Sequence, residues 1–306
     1  MAKILIATEK PFAKIAVDGI KEVAETAGLE VVLLEKYTEK AQLLAAVADV
    51  EAMIIRSDKI DNEVFDAAKN LKIVVRAGAG YDNVDLAAAT AHGVVVMNTP
   101  GQNSNAVAEL VFGMLVFAVR NFYNGKAGTE LKGKKLGILA YGNVGRCVAH
   151  IAKGFDMDVY AYDAYCLAAA IESDGVKAVS SQDELFEKCE VVSLHIPATA
   201  ETRQSINYAL VGKMPKGGVL VNTARKEVIN EPELLKLMQE RTDLKYVTDI
   251  MPEADADFRI LEGRYFSTPK KMGAQTAEAN INAGVAAAHQ IAAFFKDGCT
   301  KYQVNK

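Results

Sequence analysis

Short apolar segments alternate with helical patterns along the chain, and this alternation constrains the possible fold more than any other feature. The first helical pattern covers residues 12–27 and stops at Gly28, directly before the next apolar segment. Strands that alternate with helices form parallel sheets, because each helix carries the chain back to the start of the next strand. The alternation therefore predicts an α/β fold that begins with a five-stranded parallel sheet. Its strand-like segments lie at 3–7, 30–34, 52–56, 72–76 and 94–97.

A second series of strand-like segments follows a change in composition. A turn-rich stretch, an apolar helical pattern and a stretch rich in Gly and Lys succeed one another over 98–135, which indicates a domain boundary. The last helical pattern, 276–295, is rich in Ala and almost uncharged, which predicts a buried helix. We expect this helix to rejoin the first sheet, so that a domain at 101–275 is inserted into one formed by 1–100 and 276–306. The second series lies at 135–140, 157–163, 190–196, 217–224 and 244–250.

The charge balance and the distribution of apolar residues exclude several classes of partner. The 306 residues carry 35 Lys+Arg against 39 Asp+Glu, a net charge of −4, so no overall positive field exists to hold nucleic acid. The longest uncharged apolar segment, 110–119, has about half the roughly 20 residues that a membrane span needs. The N-terminus is too polar for a signal peptide, and the four cysteines form no C-x-x-C pair. We therefore expect a cytoplasmic protein with no nucleic-acid partner, no membrane contact and no metal site.

The segment 134–155 combines a strand, a glycine turn and a helix, which is the setting of a dinucleotide-binding turn. Its spacing is Ala140-x-Gly142-x-x-Gly145, with Ala where the first Gly is usual. The helix that follows would offer its N-terminal amides to a pyrophosphate. Asp163 ends the next strand 23 positions after Ala140, close to the position of the carboxylate that binds the adenosine ribose. A carboxylate repels a 2′-phosphate, which favours NAD over NADP; the alternative is that Asp163 only caps a helix.

Five segments together resemble the D-2-hydroxyacid dehydrogenases, in the order in which that family carries them. The resemblance implies two doubly wound parallel-sheet domains, a Rossmann-type cofactor domain inserted into a flavodoxin-like substrate domain, and hydride transfer between NAD and a 2-hydroxy acid. Arg76 and the segment 98–110 are most similar to members that oxidise D-3-phosphoglycerate to 3-phosphohydroxypyruvate in serine synthesis. Glyoxylate or hydroxypyruvate reduction and an NADH-sensing corepressor role remain the alternatives. The five segments are RAGAGYDNVDLAAAT at 76–90, VVVMNTPGQNSNAVAEL at 94–110, LGILAYGNVGR at 136–146, LHIPATAET at 194–202 and VNTAR at 221–225.

The resemblance also implies which residues carry the chemistry. The family's catalytic arginine falls on Arg225, whose planar charged fork can clamp the substrate carboxylate. The family's glutamate falls on Glu253, where it would hold and tune the acid/base group through a hydrogen bond, with Asp255 and Asp257 as nearby competitors. At the position of the family's acid/base histidine the chain has two lysines, of which we assign Lys271, with Lys270 as its competitor. Two adjacent lysines on a loop are otherwise typical of a solvated surface.

Binding residues follow from the same resemblance. Small residues after Arg76 would expose backbone amides to the substrate carboxylate, and Arg56 and Arg76 would hold its phosphate, unless each arginine only ends a strand. Lys226 and Glu227 depart from the family, which usually has glycines there. The resemblance further implies a homodimer formed through the cofactor domain, for which the apolar face of the helical pattern at 106–120 offers a surface. The implied substrate-binding residues are Arg56, Ser57, Arg76, Ala77, Gly78, Ala79, Gly80 and Asn103, with Ser104 beside them. The implied NAD-binding residues are Ala140, Gly142, Asn143, Val144, Gly145, Asp163, His195, Pro197, Thr202, Thr223, Ala224 and Asp249.

Overall fold

Two α/β units make up the protein in a computed structural model that describes residues 1–305. The first unit is Met1–Asn103 together with the chain from Thr276, and the second is Ser104–Gln275. Each unit is built on one parallel sheet with helices between its strands, which confirms the predicted fold class. Of the helices in residues 1–305, none combines the length and the apolar character that a membrane span requires.

The strands of both sheets run parallel to their neighbours. The first sheet consists of β1 (Lys3–Thr8), β2 (Glu30–Glu35), β3 (Ala52–Ile55), β4 (Ile73–Arg76) and β5 (Val95–Asn98). The second consists of β6 (Lys135–Leu139), β7 (Asp158–Tyr162), β8 (Lys177–Ala178), β9 (Val191–Leu194), β10 (Val219–Asn222), β11 (Lys245–Thr248) and β12 (Tyr265–Ser267). The strand orders are β2-β1-β3-β4-β5 and β12-β11-β10-β9-β6-β7-β8.

Helices connect these strands throughout. In chain order they are α1 (Lys14–Thr26), α2 (Lys40–Val47), α3 (Asn62–Ala67), α4 (Leu86–Ala91), α5 (Ser104–Val119), α6 (Asn143–Gly154), α7 (Ala168–Glu172), α8 (Gln182–Lys188), α9 (Tyr208–Val211), α10 (Glu231–Glu240), α11 (Asp255–Arg259) and α12 (Ala277–Asp297). Two short 3-10 helices lie at Asn121–Tyr123 and Lys226–Val228.

The sequence prediction of the second sheet needs a correction, because it lacks β8 and β12. These strands are only two and three residues long. A period-two pattern of apolar residues cannot be recognised over so few positions. β12 lies at one edge of the sheet and β8 at the other. The prediction of the central strands is therefore unaffected.

The last helix, α12, packs on α1 within the first unit. Thr276 caps its N-terminus, since the Thr276 hydroxyl accepts a hydrogen bond from the Ala279 backbone N–H at 3.1 Å. A close approach of the two helices explains Gly284, because a Cβ at this position would lie 3.1 Å from Ile20 Cδ1 and 3.2 Å from Phe12 Cε1. Apart from Ile291, the buried residues of α12 are all Ala or Gly, which allows the same close packing.

The strand order of the second sheet reverses between β6 and its neighbour β9. In open parallel sheets, ligands bind outside the carboxyl ends of the strands at such a reversal. Every residue of β9 and β10 is buried, so these strands form the centre of the unit. The loops that follow β6, β9, β10 and β11 therefore all leave the carboxyl ends of their strands, and they contain most of the predicted NAD-binding residues.

Candidate active site

The turn after β6 has the backbone geometry of a dinucleotide-binding turn. Ala140 has a φ of 76°, in the left-handed region that favours glycine, and its N–H donates to the Tyr162 carbonyl at 2.8 Å. A Cβ on Gly145 would lie 2.5 Å from the Ala140 carbonyl oxygen, so only glycine lets α6 pack this closely on the turn. Among the described residues, no heavy atom comes within 4 Å of a Cβ placed on Gly142. The turn therefore leaves open space in front of the N-terminus of α6, as a pyrophosphate requires.

Asp163 lies directly beside this turn. Its Oδ2 accepts a hydrogen bond from the Tyr141 N–H at 2.7 Å, and its Oδ1 accepts from the N–H groups of Tyr165 and Cys166 at 2.7 and 2.8 Å. These three bonds fix the carboxylate at the end of β7. The structure thus brings Asp163 and the glycine turn together, as the spacing in the sequence predicts, and gives the carboxylate a local structural role as well.

A second polar group supports the first turn of α6, where Asn143 and Val144 lie. The Arg146 guanidinium packs over the Tyr141 ring, 4.8 Å from its centroid, and pairs with the Asp174 carboxylate. The Tyr141 hydroxyl also donates to Asp174, at 3.1 Å. Sequence reasoning does not find this group, because its members come from three elements whose contact depends on the fold. It holds the turn and the helix in one arrangement.

The loop after β9 contains three predicted NAD-binding residues. The His195 N–H donates to the Leu139 carbonyl at 2.9 Å, and the imidazole Nε2 lies 2.9 Å from the Ser193 hydroxyl oxygen. Burial lowers the pKa of the His195 imidazole far below its usual range, so the ring is neutral at neutral pH. The Thr202 hydroxyl donates a hydrogen bond to the Pro197 carbonyl at 2.5 Å.

Two buried oxygens beside β10 and β11 indicate where a ligand group belongs. Thr223 Oγ1 and Asp249 Oδ1 have no hydrogen-bond partner among the described residues. Buried polar atoms are nearly always paired, so these two call for a partner from outside the chain. The other Asp249 oxygen, Oδ2, accepts from the N–H groups of Gly273 and Met272 at 2.6 and 3.2 Å. The described residues at the carboxyl ends of these strands therefore fit NAD. The glycine turn would hold its pyrophosphate, and Thr223 and Asp249 would offer their unpaired oxygens to another part of the cofactor.

Arg225 and Lys271 meet at one backbone oxygen. The carbonyl of Ala224 accepts a hydrogen bond from Arg225 Nη1 at 2.9 Å and from Lys271 Nζ at 2.6 Å. Asn222 supports this peptide, since its Oδ1 accepts from the Ala224 N–H and its Nδ2 donates to the Arg225 carbonyl, both at 3.0 Å. Burial raises the pKa of the Asp249 carboxyl, and the positive charges of Lys271 and Arg225 oppose that rise. Two of the three predicted catalytic residues thus share one small region with Asp249.

The third predicted catalytic residue, Glu253, is not brought to Lys271. Its carboxylate accepts a hydrogen bond from Lys226 Nζ at 2.8 Å, and its side chain is 81% exposed. The N–H groups of Glu253 and Ala254 donate to the Glu231 carboxylate at 3.2 and 2.8 Å, which fixes the backbone here. In this structure the Glu253 carboxylate therefore forms an ion pair with Lys226.

The predicted substrate residues of the first unit are gathered around two arginines. Arg56 Nη1 donates to the carbonyls of Lys10 and Pro11 at 3.1 and 3.2 Å. Arg76 Nε donates to the Arg56 carbonyl at 3.0 Å. Gly78 has a φ of 149°, and a Cβ there would lie 1.5 Å from Arg76 Nη1, so the guanidinium occupies the space over the glycine. The remaining predicted residues lie in the same loops, namely Ser57, Ala77, Ala79 and Gly80, and in the turn before α5, namely Asn103.

Two asparagines that support this region are missed by sequence reasoning. Asn280 of α12 accepts a hydrogen bond from Arg56 Nη2 at 2.5 Å, although the two residues are 224 positions apart. Asn98 donates from its Nδ2 to the Ala79 carbonyl at 2.6 Å. Neither residue belongs to a motif that marks it in the sequence. Only the packing of α12 and β5 in the first unit reveals their contribution.

Comparison with known proteins agrees with this geometry. The family model for "D-isomer specific 2-hydroxyacid dehydrogenase, NAD binding domain" matches residues 113–265. A crystal structure of 3-phosphoglycerate dehydrogenase from Entamoeba histolytica with bound NAD⁺ superimposes with a TM-score of 0.89, at 49% identity over 100% of this chain and 99% of that chain.

Two curated relatives are similar over most of this chain. D-3-phosphoglycerate dehydrogenase from Methanocaldococcus jannaschii is 33% identical over 95% of this chain and 57% of its own length. Hydroxypyruvate reductase from Thermotoga maritima is 34% identical over 86% of this chain and 90% of its own length. This chain spans little more than half the length of several curated relatives that it matches. The chain belongs to the D-isomer specific 2-hydroxyacid dehydrogenase family, and its second unit contains the NAD-binding domain of that family.

Proposed function

We propose that this protein oxidises D-3-phosphoglycerate to 3-phosphohydroxypyruvate with NAD as the hydride acceptor. The observation that carries the proposal is the similarity to the Entamoeba histolytica 3-phosphoglycerate dehydrogenase, which extends over the full length of this chain. The curated relatives named D-3-phosphoglycerate dehydrogenase point to the same reaction. The pair of arginines in the first unit supports a substrate that carries both a carboxylate and a phosphate.

Within this proposal the two units have different roles. The first unit binds the substrate, with Arg56 and Arg76 as its cations and with the backbone amides of 77–80 as donors to the carboxylate. In the second unit Arg225 clamps the carboxylate and polarises the C2 oxygen. Bound NAD supplies the site that accepts hydride from C2.

Lys271 is proposed as the base that removes the proton from the C2 hydroxyl. Its ammonium group donates to the Ala224 carbonyl beside Arg225, which supports Lys271 over its neighbour Lys270. Only the neutral amine can accept a proton, and a free lysine has a pKa of about 10.4. Oxidation is therefore expected to become faster as the pH rises, whereas the reverse reduction needs the protonated amine.

The experiment that tests the function measures NADH formation with three substrates separately. We expect turnover with D-3-phosphoglycerate and at least tenfold lower kcat/KM, an energy difference of roughly 1.4 kcal/mol, with D-glycerate and D-lactate. Equal turnover of glycerate would overturn the proposed phosphate specificity. Complete absence of turnover with every substrate, together with NADH binding, would instead support a corepressor-like role.

A second enzymatic candidate is the reduction of hydroxypyruvate. It is favoured by the similarity to the Thermotoga maritima hydroxypyruvate reductase, of which this chain covers 90%. That substrate has no phosphate, so its binding does not need both arginines of the first unit. Measuring NADH oxidation with hydroxypyruvate and with 3-phosphohydroxypyruvate distinguishes the two candidates, because phosphoglycerate oxidation predicts the larger kcat/KM for the phosphorylated keto acid.

The proposal also includes a cytoplasmic homodimer. Cys147, Cys166 and Cys299 are free thiols at least partly accessible to solvent, as is usual in a reducing compartment. The apolar residues of α5 are buried in the core of the second unit, so they are not the surface for dimerisation. Tyr165 and Leu167 are 95% and 77% exposed and offer apolar surface for a partner. A monomer mass by light scattering at micromolar concentration would refute the dimer.

A further inference from the structure

A buried carboxylate lies beside the proposed phosphate-binding residues of the first unit and takes no part in the proposed chemistry. It belongs to Asp58, which follows β3 two positions after Arg56 and is only 2% exposed. Burial of a carboxylate is costly unless hydrogen bonds compensate it. The hydrogen-bond partners of Asp58 therefore indicate its role.

Three donors from three loops converge on the Asp58 carboxylate. Its Oδ1 accepts hydrogen bonds from the Glu9 N–H at 2.8 Å and from the Tyr37 hydroxyl at 2.9 Å, and its Oδ2 accepts one from the Arg56 N–H at 3.2 Å. Burial and the Asp58 carboxylate raise the pKa of the Tyr37 hydroxyl, so it remains a donor. The three donors follow β1, β2 and β3, which are neighbours in the first sheet. Asp58 thus ties together the loops at the carboxyl ends of these strands.

The carbonyl of Arg56 is held as well. It accepts a hydrogen bond from Arg76 Nε at 3.0 Å and one from Asn83 Nδ2 at 3.3 Å. The same Asn83 amide donates to the Asp58 carbonyl at 2.6 Å. The backbone of Arg56 is therefore fixed through its N–H by Asp58 and through its carbonyl by Asn83 and Arg76.

The guanidinium of Arg56 returns to the loop after β1. Its Nη1 donates to the carbonyls of Lys10 and Pro11 at 3.1 and 3.2 Å, and its Nη2 donates to Asn280 Oδ1 at 2.5 Å. This loop is thus joined to Arg56 twice, once through the Asp58 carboxylate and once through the guanidinium. The three acceptors of the guanidinium are neutral oxygens, so these contacts orient the cation without neutralising it. Preorganised binding of a phosphate requires such an arrangement.

The network requires a carboxylate at position 58. A carboxylate has two acceptor oxygens and no donor, and here each oxygen receives a hydrogen bond. The amide of an isosteric asparagine has only one acceptor oxygen, so its NH₂ group would face the N–H of either Glu9 or Arg56. A buried donor would then lose its partner, and we expect the loop that carries it to shift.

We propose that Asp58 is a positioning residue for substrate binding, whose carboxylate fixes the backbone of Arg56 against the loop after β1 and so preorganises the Arg56 guanidinium for the phosphate of the substrate. Asn83 supports the same peptide group from its carbonyl side. This inference rests on the proposed function, since it takes Arg56 to be a phosphate ligand. It extends the substrate site by residues that the family resemblance does not imply.

The test compares the steady-state kinetics of 3-phosphoglycerate oxidation in the wild type and in Asp58→Asn. KM for 3-phosphoglycerate should rise by about tenfold, because the phosphate contact is equally strong in the ground state and the transition state. Both kcat and KM for NAD should change by less than about twofold, since the phosphate takes no part in hydride transfer. An unchanged KM for 3-phosphoglycerate, or a fall in kcat as large as the rise in KM, would overturn the inference.

A double-mutant cycle with Arg56→Ala shows whether Asp58 acts through the arginine. If it does, the rise in KM in the double variant should be at least about threefold smaller than the product of the two single effects. Effects that simply multiply would overturn the inference. Asp85→Ala is the matched control, because Asp85 also accepts a backbone N–H in the first unit, that of Ala88 at 2.9 Å. This variant should lower the free energy of unfolding and leave KM for 3-phosphoglycerate unchanged.

The variant Asn83→Ala keeps the test decisive if Asp58→Asn fails to fold. It removes the amide that donates to the carbonyls of Arg56 and Asp58, and the Asn83 side chain is only partly buried. KM for 3-phosphoglycerate should rise by at least about threefold with kcat unchanged. An unchanged KM in this variant would then overturn the inference.

A measurement without turnover separates this inference from the proposed function. In protein labelled with ¹⁵N-arginine, NMR observes the guanidinium of Arg56, whose signals are assigned from their absence in Arg56→Lys. Hydrogen bonds that stop rotation of the guanidinium should give separate Nη1 and Nη2 signals in the wild type, and these should merge in Asp58→Asn. If the signals merge while the wild type fails to oxidise 3-phosphoglycerate, the proposed substrate is wrong and the positioning role of Asp58 holds. If turnover occurs and the Arg56 signals are the same in both proteins, the inference fails and the proposed function stands.

Discussion

Arg225 and Lys271 donate to the same oxygen, the carbonyl of Ala224, at 2.9 and 2.6 Å. A carbonyl has two lone pairs, so both bonds can form at once. The arrangement holds two cationic groups side by side, although their like charges repel, and Asp249 partly offsets that repulsion.

The first prediction concerns Lys271 itself. Lys271→Ala should lower kcat for 3-phosphoglycerate oxidation by roughly 10² to 10⁴, the usual contribution of a positioned acid/base group. The affinity for NAD should change little. Lys270→Ala is the matched control, because it removes a lysine from the adjacent position of the same loop. The measurement is steady-state kinetics. If kcat falls by less than tenfold in both single variants and in the double variant, neither lysine is the base.

The second prediction concerns the strained alanine of the dinucleotide-binding turn. Ala140 has a φ of 76°, and an L-residue in this region costs about 1 to 2 kcal/mol relative to glycine. Glycine loses more backbone entropy on folding, by about 0.5 to 1 kcal/mol. Ala140→Gly should therefore raise the free energy of unfolding by about 0.5 to 1 kcal/mol, measured by urea denaturation.

The control for this change is Ala152→Gly, because Ala152 lies in the interior of α6 and is fully buried. That substitution should lower the free energy of unfolding by about 1 kcal/mol. If Ala140→Gly instead lowers the free energy of unfolding, the contacts of the Ala140 methyl group stabilise the protein by more than its backbone strain destabilises it.

Much of this site could be predicted from the sequence where a local pattern reports on geometry. The spacing from Ala140 to Asp163 corresponds to one helix and one strand, so both residues follow the carboxyl ends of neighbouring parallel strands. The pairing of Glu253 with Lys226 could not be predicted, because both side chains are long and exposed and their choice of partner depends on backbone positions in three dimensions. The hydrogen bond from Arg56 to Asn280 could not be predicted either, because α12 comes into contact with β3 only in the folded unit.

The third prediction concerns the choice between NAD and NADP. Asp163→Ala removes a carboxylate that would accept hydrogen bonds from the ribose and would repel a 2′-phosphate. KM for NAD should rise by at least tenfold and the preference over NADP should narrow, as measured with both cofactors at saturating 3-phosphoglycerate.

The carboxylate also accepts three backbone hydrogen bonds, so Asp163→Ala is expected to loosen the turn as well. Asp163→Asn separates the two effects, because it retains an acceptor oxygen and removes the charge. If the asparagine variant keeps the full preference for NAD, a different residue discriminates against the 2′-phosphate.

The last prediction concerns Gly78, whose missing side chain makes room for Arg76. A Cβ at this position would lie 1.5 Å from Arg76 Nη1 and 2.6 Å from Cζ, so Gly78→Ala must move the guanidinium. The φ of 149° adds backbone strain for any residue with a side chain. If Arg76 holds the phosphate, its displacement should raise KM for 3-phosphoglycerate by at least about tenfold, with KM for NAD unchanged. Arg76→Ala should have a similar effect, and combining the two substitutions should add little, because both remove the same contact. Additive effects in this double-mutant cycle would show that Gly78 serves the substrate through its own backbone and not through Arg76.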